Sequence, residues 1–298
     1  MRDSMAIKKW SPGVCPIAVI LISLNEGHNL RGVLENLSGW AQEVFLVDSY
    51  SQDETVEIAL DFGVRVVQRS FDGFGNQWNF ALNNLPISSS WVMKLDPDER
   101  LTDSLKVNLC SALKNTKAVG FTFKRQLWFM GKPLPIYQTL LRVWRTGMCH
   151  FSDVLVNEHP IVEGRIDHII GILAHHDSPD LDHWVEKQNR YTTAEAIIAY
   201  KELPLSGRPI LTGTKFQRHM WLKKNFRYIP FRFFLFFIYN WLFKGVYLVG
   251  REGDIWARMR SEVMRLIEYK EYEIRASGKL PARRVYGPGK PNLKVEQF

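Results

Sequence analysis

The first hundred residues alternate short apolar runs with segments of helical periodicity, and this alternation limits the folds that the chain can adopt. Strands are predicted at residues 17–23, 44–47, 64–68 and 91–95, with helices between them at residues 30–37, 55–62 and 78–85. Short, β-branched apolar runs are typical of strands buried on both faces, and intervening helices imply parallel pairing through right-handed crossovers. The sequence therefore predicts an α/β domain whose three layers surround a mainly parallel sheet.

The pattern changes along the rest of the chain. Residues 120–167 are aromatic and mixed in character, which indicates antiparallel or irregular structure that completes the same domain, and a further helix is predicted at 181–200. We accordingly expect a tail at 1–16, the α/β domain at 17–210 and a helical, basic and aromatic, membrane-associated extension at 211–298.

Composition and short motifs exclude several classes of protein. Lysine and arginine outnumber aspartate and glutamate by 39 to 31, which gives a net charge of +8 and favours an anionic partner. The three cysteines lack a CxxC pair, so neither a zinc knuckle nor a disulfide framework is indicated. The absence of a GxGxxG and a GxxxxGK[ST] motif argues against a dinucleotide-binding Rossmann domain and a P-loop NTPase. The N-terminus has no apolar core typical of a signal peptide, so a cytoplasmic location is expected.

Polar side chains follow the predicted strands where ligands bind in α/β sheets. Asp96 and Asp98 come directly after a buried strand, and paired carboxylates suit Mg²⁺ or Mn²⁺, which can neutralise charge on a departing diphosphate. Asp48 and Asp53 follow the second strand and can accept hydrogen bonds from a base or ribose. Alternatively, these carboxylates lie in solvated turns or cap helices.

Four segments together resemble a known family: ILISLNEGHNL, VDSYSQDET, GFGNQWNFAL and VMKLDPDERLT. In order and spacing they are similar to inverting family 2 glycosyltransferases of the GT-A fold, and to the bacterial branch that includes lipopolysaccharide-core enzymes. The resemblance implies nucleotide or diphosphate contacts from Leu24, Asn25, Glu26, Asp48, Asp53, Gln77, Asp96 and Arg190. It also implies metal ligation by Asp96, Asp98 and His175. The chain departs from many relatives at Val47-Asp48-Ser49, which has a single aspartate, and at Tyr50, where glycine is expected.

An inverting transfer needs a general base that removes the proton from the acceptor hydroxyl. Asp153, Glu158, Glu163 and Asp167 are the candidates, and the resemblance favours Glu158 in the segment VNEHP. The alternative is a surface glutamate beside a proline turn.

Two further groups have alternative roles. His175, His176 and Asp177 are consecutive, and because adjacent side chains of a strand point to opposite faces, at most one histidine is expected to face a site. Arg190 lies in a segment similar to the Gln-x-x-Arg-aromatic signature of processive relatives and could bind the diphosphate. Its alternative role is a weak ion pair on a helix surface.

Residues 231–249 form an aromatic segment in which 15 of 19 residues are apolar. Arginine, asparagine, lysine and glycine interrupt it, so an in-plane or re-entrant helix is favoured over one that spans the bilayer. Basic residues on both sides suit anionic lipid headgroups. The alternative is a buried core helix with solvated flanks.

The predicted activity is transfer of a sugar from a nucleoside diphosphate sugar, expected to be a UDP-hexose, with inversion. The expected acceptor is a lipid-linked or lipopolysaccharide-core glycan at the inner face of the cell membrane, where the protein would be peripheral. The alternative is a nucleotidyltransferase that uses the same aspartate pair. Nucleic acid is not an expected partner, since no RRM, KH or helix-turn-helix signature is present.

Overall fold

A computed structural model describes residues 9–114, 116–152, 159–202 and 208–281. The described chain forms two compact units. One contains residues 9–128 and 137–177, and the other contains residues 129–136 and 178–281. The domain boundary predicted at residue 210 remains a prediction, because the end of a functional domain need not coincide with the end of a compact unit.

The strands follow the predicted order through the first hundred residues. They are β1 (Cys15–Ser23), β2 (Ala41–Asp48), β3 (Arg65–Gln68), β4 (Trp91–Leu95), β5 (Glu99–Leu101), β6 (Gly120–Phe129), β7 (Lys132–Arg145), β8 (Cys149–Phe151), β9 (Pro160–Val162) and β10 (Ile166–His176). The helices are α1 (Gly27–Leu37), α2 (Thr55–Asp61), α3 (Phe74–Asn84), α4 (Asp103–Lys114), α5 (Leu181–Tyr200), α6 (Lys215–Asn225), α7 (Arg232–Ile238) and α8 (Arg251–Ser277).

Eight strands form one sheet in the order β3-β2-β1-β4-β7-β6-β10-β5. The pairs β2–β3, β1–β2, β1–β4 and β6–β10 are parallel, whereas β4–β7 and β5–β10 are antiparallel. The predicted α/β fold with a mainly parallel sheet is thus confirmed. Strands β8 and β9 pair separately as a small antiparallel ribbon.

Helices cover both faces of this sheet because neighbouring strand residues point to opposite sides. Val19 and Leu21 of β1 contribute to the core that contains the apolar faces of α1, α2 and α4. Ala18 and Ile20 of the same strand contribute to the core on the other face, which contains Trp78 of α3. This alternation produces the three layers.

The aromatic segment at 231–249 is not one helix. Phe231 precedes α7 with φ of +53°, and Gly245 has φ of +73°, so the backbone turns sharply on either side. Between them, α7 continues into a π-helical turn at Tyr239–Phe243, and a 3₁₀ turn follows at Val246–Val249. Within the described residues, every helix is too short or too polar to cross a bilayer.

Candidate active site

Asp48, at the end of β2, organises the first group of strand-end loops. Its fully buried carboxylate accepts hydrogen bonds from Ser23 Oγ, Ser51 N–H and Gln68 Nε2, each at 2.9 Å. The hydroxyl of Ser51 also donates to it. Asp48 therefore joins the ends of β1, β2 and β3, and the donors that surround its carboxylate in this structure come from the protein.

Asn25 connects the loop after β1 to the loop after β2. It adopts the left-handed region with φ of +57°, which asparagine tolerates better than most residues. Its N–H donates to Ser51 Oγ at 2.7 Å, and its side-chain oxygen accepts from the Gln52 N–H at 2.7 Å. The side-chain nitrogen is buried and has no hydrogen-bond partner among the described residues, so it remains a donor for a ligand. Leu24, which precedes it, is half-buried.

Asp53 and Glu26 lie at the starts of the two helices that follow these strands. Asp53 accepts hydrogen bonds from the N–H groups of Gly27 at 3.0 Å and Thr55 at 3.1 Å, which are the first residues of α1 and α2. Partial burial alone would raise the pKa of Asp53, but hydrogen bonds from Thr55 and Gly27 lower it. Glu26 donates its N–H to Thr55 Oγ1, and its carboxylate accepts from Asn29 at 2.9 Å.

Gln77 is fully buried on α3 and faces the end of β2. Its side-chain oxygen accepts from Arg69 at 2.9 Å, and its side-chain nitrogen lies 3.3 Å from Ser49 Oγ.

Tyr50, which follows Ser49 in the chain, is exposed and has φ of +61°. Tyr50 therefore occupies a left-handed position that glycine would adopt at less cost, as its place in the motif suggested.

Asp96 is held by a buried network at the end of β4. Its carboxylate accepts from Arg142 at 2.8 Å, and its N–H donates to Glu99 at 3.0 Å. Burial alone would raise the pKa of Asp96, but the charges of Arg142 and Lys94 hold it far below its usual range. Arg142 and Arg125 also donate to the fully buried Glu99. The turn that carries both aspartates is thereby fixed from beneath.

The antiparallel pairing of β5 with β10 brings Asp98 to His175 and Asp177. His175 Nε2 lies 3.2 Å from Asp98 Oδ2 and 3.7 Å from Asp177 Oδ1. One ligand atom from each of the three side chains lies within 4.8 Å of the others, so they could hold a metal ion. We call these three residues the Asp-His-Asp cluster. Its single imidazole nitrogen and two carboxylates match ligands that Mn²⁺ accepts in proteins.

His176 has a different environment from its neighbour. Its ring packs against the ring of Trp128 with centroids 4.8 Å apart, and its backbone N–H donates to the backbone carbonyl oxygen of Asp98 at 2.8 Å. Burial and the charge of Arg100 lower the pKa of His176. As expected for adjacent strand residues, only His175 joins the cluster.

The structure thus brings together two of the three predicted metal ligands, Asp98 and His175, and directs Asp96 to Arg142. Asp177 was not predicted as a ligand. Its position two residues after His175 was the available signal, because alternate residues of an extended chain point to the same side.

The remaining candidates are Arg190 and the four acidic residues considered as the general base. Glu158, the favoured general base, and Asp153 are outside the described residues. Glu163 is exposed, and Asp167 accepts from Arg165 at 2.8 Å. Arg190 is exposed on α5 in the second compact unit.

The chain is similar to several known proteins. An uncharacterized glycosyltransferase of Rickettsia prowazekii is 24% identical over 237 residues, which cover 73% of this chain and 79% of the relative. Glucosyl-3-phosphoglycerate synthase of Mycobacterium tuberculosis, solved with Mn²⁺, UDP and glucosyl-3-phosphoglycerate, is 18% identical. That match covers 66% of this chain and 83% of the other, with a TM-score of 0.41. S. aureus TarS 1-349, solved with UDP-GlcNAc, is 14% identical and covers 88% of this chain and 92% of its own, with a TM-score of 0.40.

A family model gives the most direct assignment. The model for glycosyl transferase family 2 matches residues 18–156, a range that contains the Asp48 network, Asp96 and Asp98. Residues 18–156 of this chain are therefore similar in sequence to glycosyl transferase family 2 domains.

Proposed function

We propose that this protein transfers a sugar from a nucleoside diphosphate sugar, with inversion, to a lipid-linked or lipopolysaccharide-core acceptor. The observation that carries the proposal is the Asp-His-Asp cluster, in which Asp98 comes from the segment that matches the family 2 model and His175 and Asp177 follow later in the chain. In this proposal the enzyme acts as a peripheral protein on the inner face of the cell membrane, and UDP-hexose is the first donor to test.

The two carboxylates of the cluster fit a hard divalent cation, Mg²⁺ or Mn²⁺, whereas its imidazole is a ligand more typical of transition metals than of Mg²⁺. Asp98, His175 and Asp177 would hold the ion, with Asp96 beside them. When bound, the ion would neutralise negative charge on the diphosphate leaving group.

The nucleotide is proposed to bind the loops after β1 and β2. The buried side-chain nitrogen of Asn25 would donate to the base or ribose, between Leu24 and Glu26. Asp48, Asp53 and Gln77 would support this surface through the hydrogen bonds described above. Because the Asp48 carboxylate is already surrounded by protein donors, we assign Asp48 a positioning role.

The acceptor side of the reaction needs a base and a group that stabilises the leaving diphosphate. Glu158 is proposed to accept the proton of the acceptor hydroxyl while that oxygen attacks the anomeric carbon. Arg190 is proposed to pair with the diphosphate, which a guanidinium group can bind through two hydrogen bonds.

A thermal-shift panel with UDP, GDP, dTDP and CMP, each with and without Mn²⁺, tests donor binding. We expect one nucleotide to raise the melting temperature only with Mn²⁺, in the parent and in an Asp61→Asn control but not in Asp98→Asn. Asp61 is exposed at the end of α2 and serves as a matched surface change. The absence of any metal-dependent shift in the parent would contradict the proposal.

Product analysis separates the two enzyme classes. Sugar transfer releases a nucleoside diphosphate, whereas nucleotidyl transfer from a nucleoside triphosphate releases pyrophosphate. Formation of pyrophosphate from a nucleoside triphosphate and a sugar phosphate, without activity towards nucleotide sugars, would favour the nucleotidyltransferase.

A further inference from the structure

The second compact unit exposes a row of large apolar side chains that its own core does not cover. Phe231, Phe234 and Phe243 are 84%, 61% and 75% exposed, respectively. Leu235 and Tyr239 are about half exposed. A helix in a soluble domain ordinarily buries its apolar face, so exposed phenylalanines at this density mark an interaction surface.

Helical spacing places these side chains on one face. Leu235, Tyr239 and Phe243 recur every four residues along α7 and the π-helical turn that continues it, and residues so spaced lie on one side of a helix, which Phe231 immediately precedes. We call these residues, with Phe234, the aromatic face.

The opposite face of α7 packs within the unit. The carbonyl oxygen of Phe233 accepts from Ser261 of α8 at 2.8 Å, and the rings of Phe233 and Phe226 lie 6.0 Å apart. Arg232 forms a two-point ion pair with Glu268 of α8. The aromatic face is therefore held outward by a helix that is itself anchored, rather than exposed by loss of packing.

The stretch of sequence that carries this face is basic. Residues 203–251 contain nine lysine and arginine residues and no aspartate or glutamate. Lys223 pairs with Glu195 of α5 at 2.8 Å, whereas Lys224 and Arg251 are exposed. A cationic segment that also presents phenylalanine, leucine and tyrosine complements a surface that is anionic outside and apolar just beneath.

We infer that the aromatic face is a membrane-docking surface that inserts into the interface of an anionic lipid bilayer, with α7 lying in the membrane plane. This inference deepens the proposed function, because a lipid-linked acceptor is embedded in such a bilayer. Docking requires neither the metal nor the nucleotide, so it is tested by binding alone.

The length of the helical segment that carries the aromatic face suits insertion in the plane of the bilayer rather than across it. The left-handed residues Phe231 and Gly245 bound a helical segment of only three to four turns. Such a segment is too short to cross the hydrocarbon core, but phenylalanine and leucine on one side can enter the boundary between headgroups and acyl chains.

The experiment is sedimentation of the full chain with vesicles of phosphatidylcholine alone, or of phosphatidylcholine with phosphatidylglycerol. We expect binding at least about tenfold stronger to the anionic vesicles, and weaker binding as salt increases. The triple variant Phe231→Ser, Phe234→Ser, Phe243→Ser should lose binding at least about tenfold without a lower melting temperature, because these side chains are not in the core. A matched variant with three similarly exposed changes elsewhere, Val14→Ser, Val107→Ser, Ile170→Ser, should bind as the parent does.

A second pair of variants tests the role of charge. The double variant Lys224→Glu, Arg251→Glu should weaken binding to anionic vesicles at low salt by more than about fivefold for each changed residue. The loss of one basic residue costs about fivefold in affinity, and charge reversal adds repulsion from the anionic lipids. Lys114→Glu with Lys117→Glu, on exposed residues of the first unit, is the control and should have little effect.

Several results would overturn the inference. They are no binding of the parent to anionic vesicles, equal binding to neutral vesicles, and full binding by the triple phenylalanine variant. If the parent instead forms a dimer in ultracentrifugation that the triple variant lacks, and neither protein sediments with vesicles, the face is an interface between two copies of this chain. If the triple variant loses vesicle binding but retains transferase activity on a soluble acceptor, the result would support the inference and leave the proposed chemistry intact.

Discussion

The guanidinium group of Arg142 donates a hydrogen bond of 2.5 Å to the carboxylate of Glu99, and neither side chain is more than 5% exposed. This ion pair lies beneath the turn that carries Asp96 and Asp98. An ion pair so deeply buried is costly to break, because the remaining charge keeps its desolvation penalty without its partner.

Arg142→Met should therefore lower the free energy of unfolding by about 3–5 kcal/mol, as measured by chemical denaturation. Arg165→Met is the control, because Arg165 forms an exposed ion pair with Asp167, and we expect its denaturation midpoint to stay at the parent value. Equal midpoints for the two variants would contradict the structural role of Arg142.

Asp177→Asn should weaken Mn²⁺ binding to the nucleotide-free protein by about tenfold or more, measured by isothermal titration calorimetry. The change keeps the shape of the side chain but removes the charge of one candidate ligand, and even residues behind the ligands commonly contribute this much. Asp167→Asn on β10 is the matched control. Unchanged Mn²⁺ affinity in Asp177→Asn would exclude this residue from the metal site.

Asp48→Asn should destabilise the fold by about 1–3 kcal/mol, because the amide nitrogen of the new side chain would face donors that now have an acceptor. Asp61→Asn, at an exposed position of α2, should have a much smaller effect. Equilibrium denaturation of both proteins measures the difference. A stable Asp48→Asn protein that had lost only nucleotide affinity would instead favour direct contact between Asp48 and the nucleotide.

Glu158→Gln should leave donor affinity unchanged and lower turnover by about 10²-fold or more, the usual effect of losing a general base. Steady-state kinetics at saturating acceptor measure the change, and Glu163→Gln is the control. Near-normal turnover in Glu158→Gln would move the search for the base to Asp153.

Local sequence signals predicted the elements whose positions depend on nearby residues. The observed bounds of β4 and α5 equal the predicted ranges, because apolar runs and helical periodicity can be recognised from residues that are close together in the sequence. Helix α3 begins four residues before its predicted start, since Phe74 and its neighbours lack a strong apolar pattern.

Long-range pairing limited prediction of the later strands. The region at 120–167 was expected to be antiparallel or irregular, but β6 pairs in parallel with β10, which begins within that region and ends beyond it. No local pattern specifies a partner so distant in sequence. The place of Asp177 in the cluster depends on the pairing of β10 with β5, another pairing between distant segments, which explains why the strand-end rule identified Asp98 and not its neighbour in space.

The helical segment at 231–249 illustrates a different limit. Its apolar composition was clear, but its breaks depend on backbone conformation at individual residues. Gly245 is a natural position for a left-handed turn, whereas Phe231 adopts this conformation despite its side chain. Composition alone could not indicate which of its phenylalanines would face outward.

Asp98 and Asp177 are far apart in the sequence, so the Asp-His-Asp cluster and the Asp48 network form at different times during synthesis. The hydrogen-bond network of Asp48 needs residues only as far as Gln68, so it can form while most of the chain is still untranslated. The cluster cannot close until β10 has left the ribosome and paired with β5. Contacts between distant segments form later because more loop entropy must be lost first. A nascent chain arrested near residue 150 should therefore contain the partners of the Asp48 network without any capacity to bind a cation through the cluster.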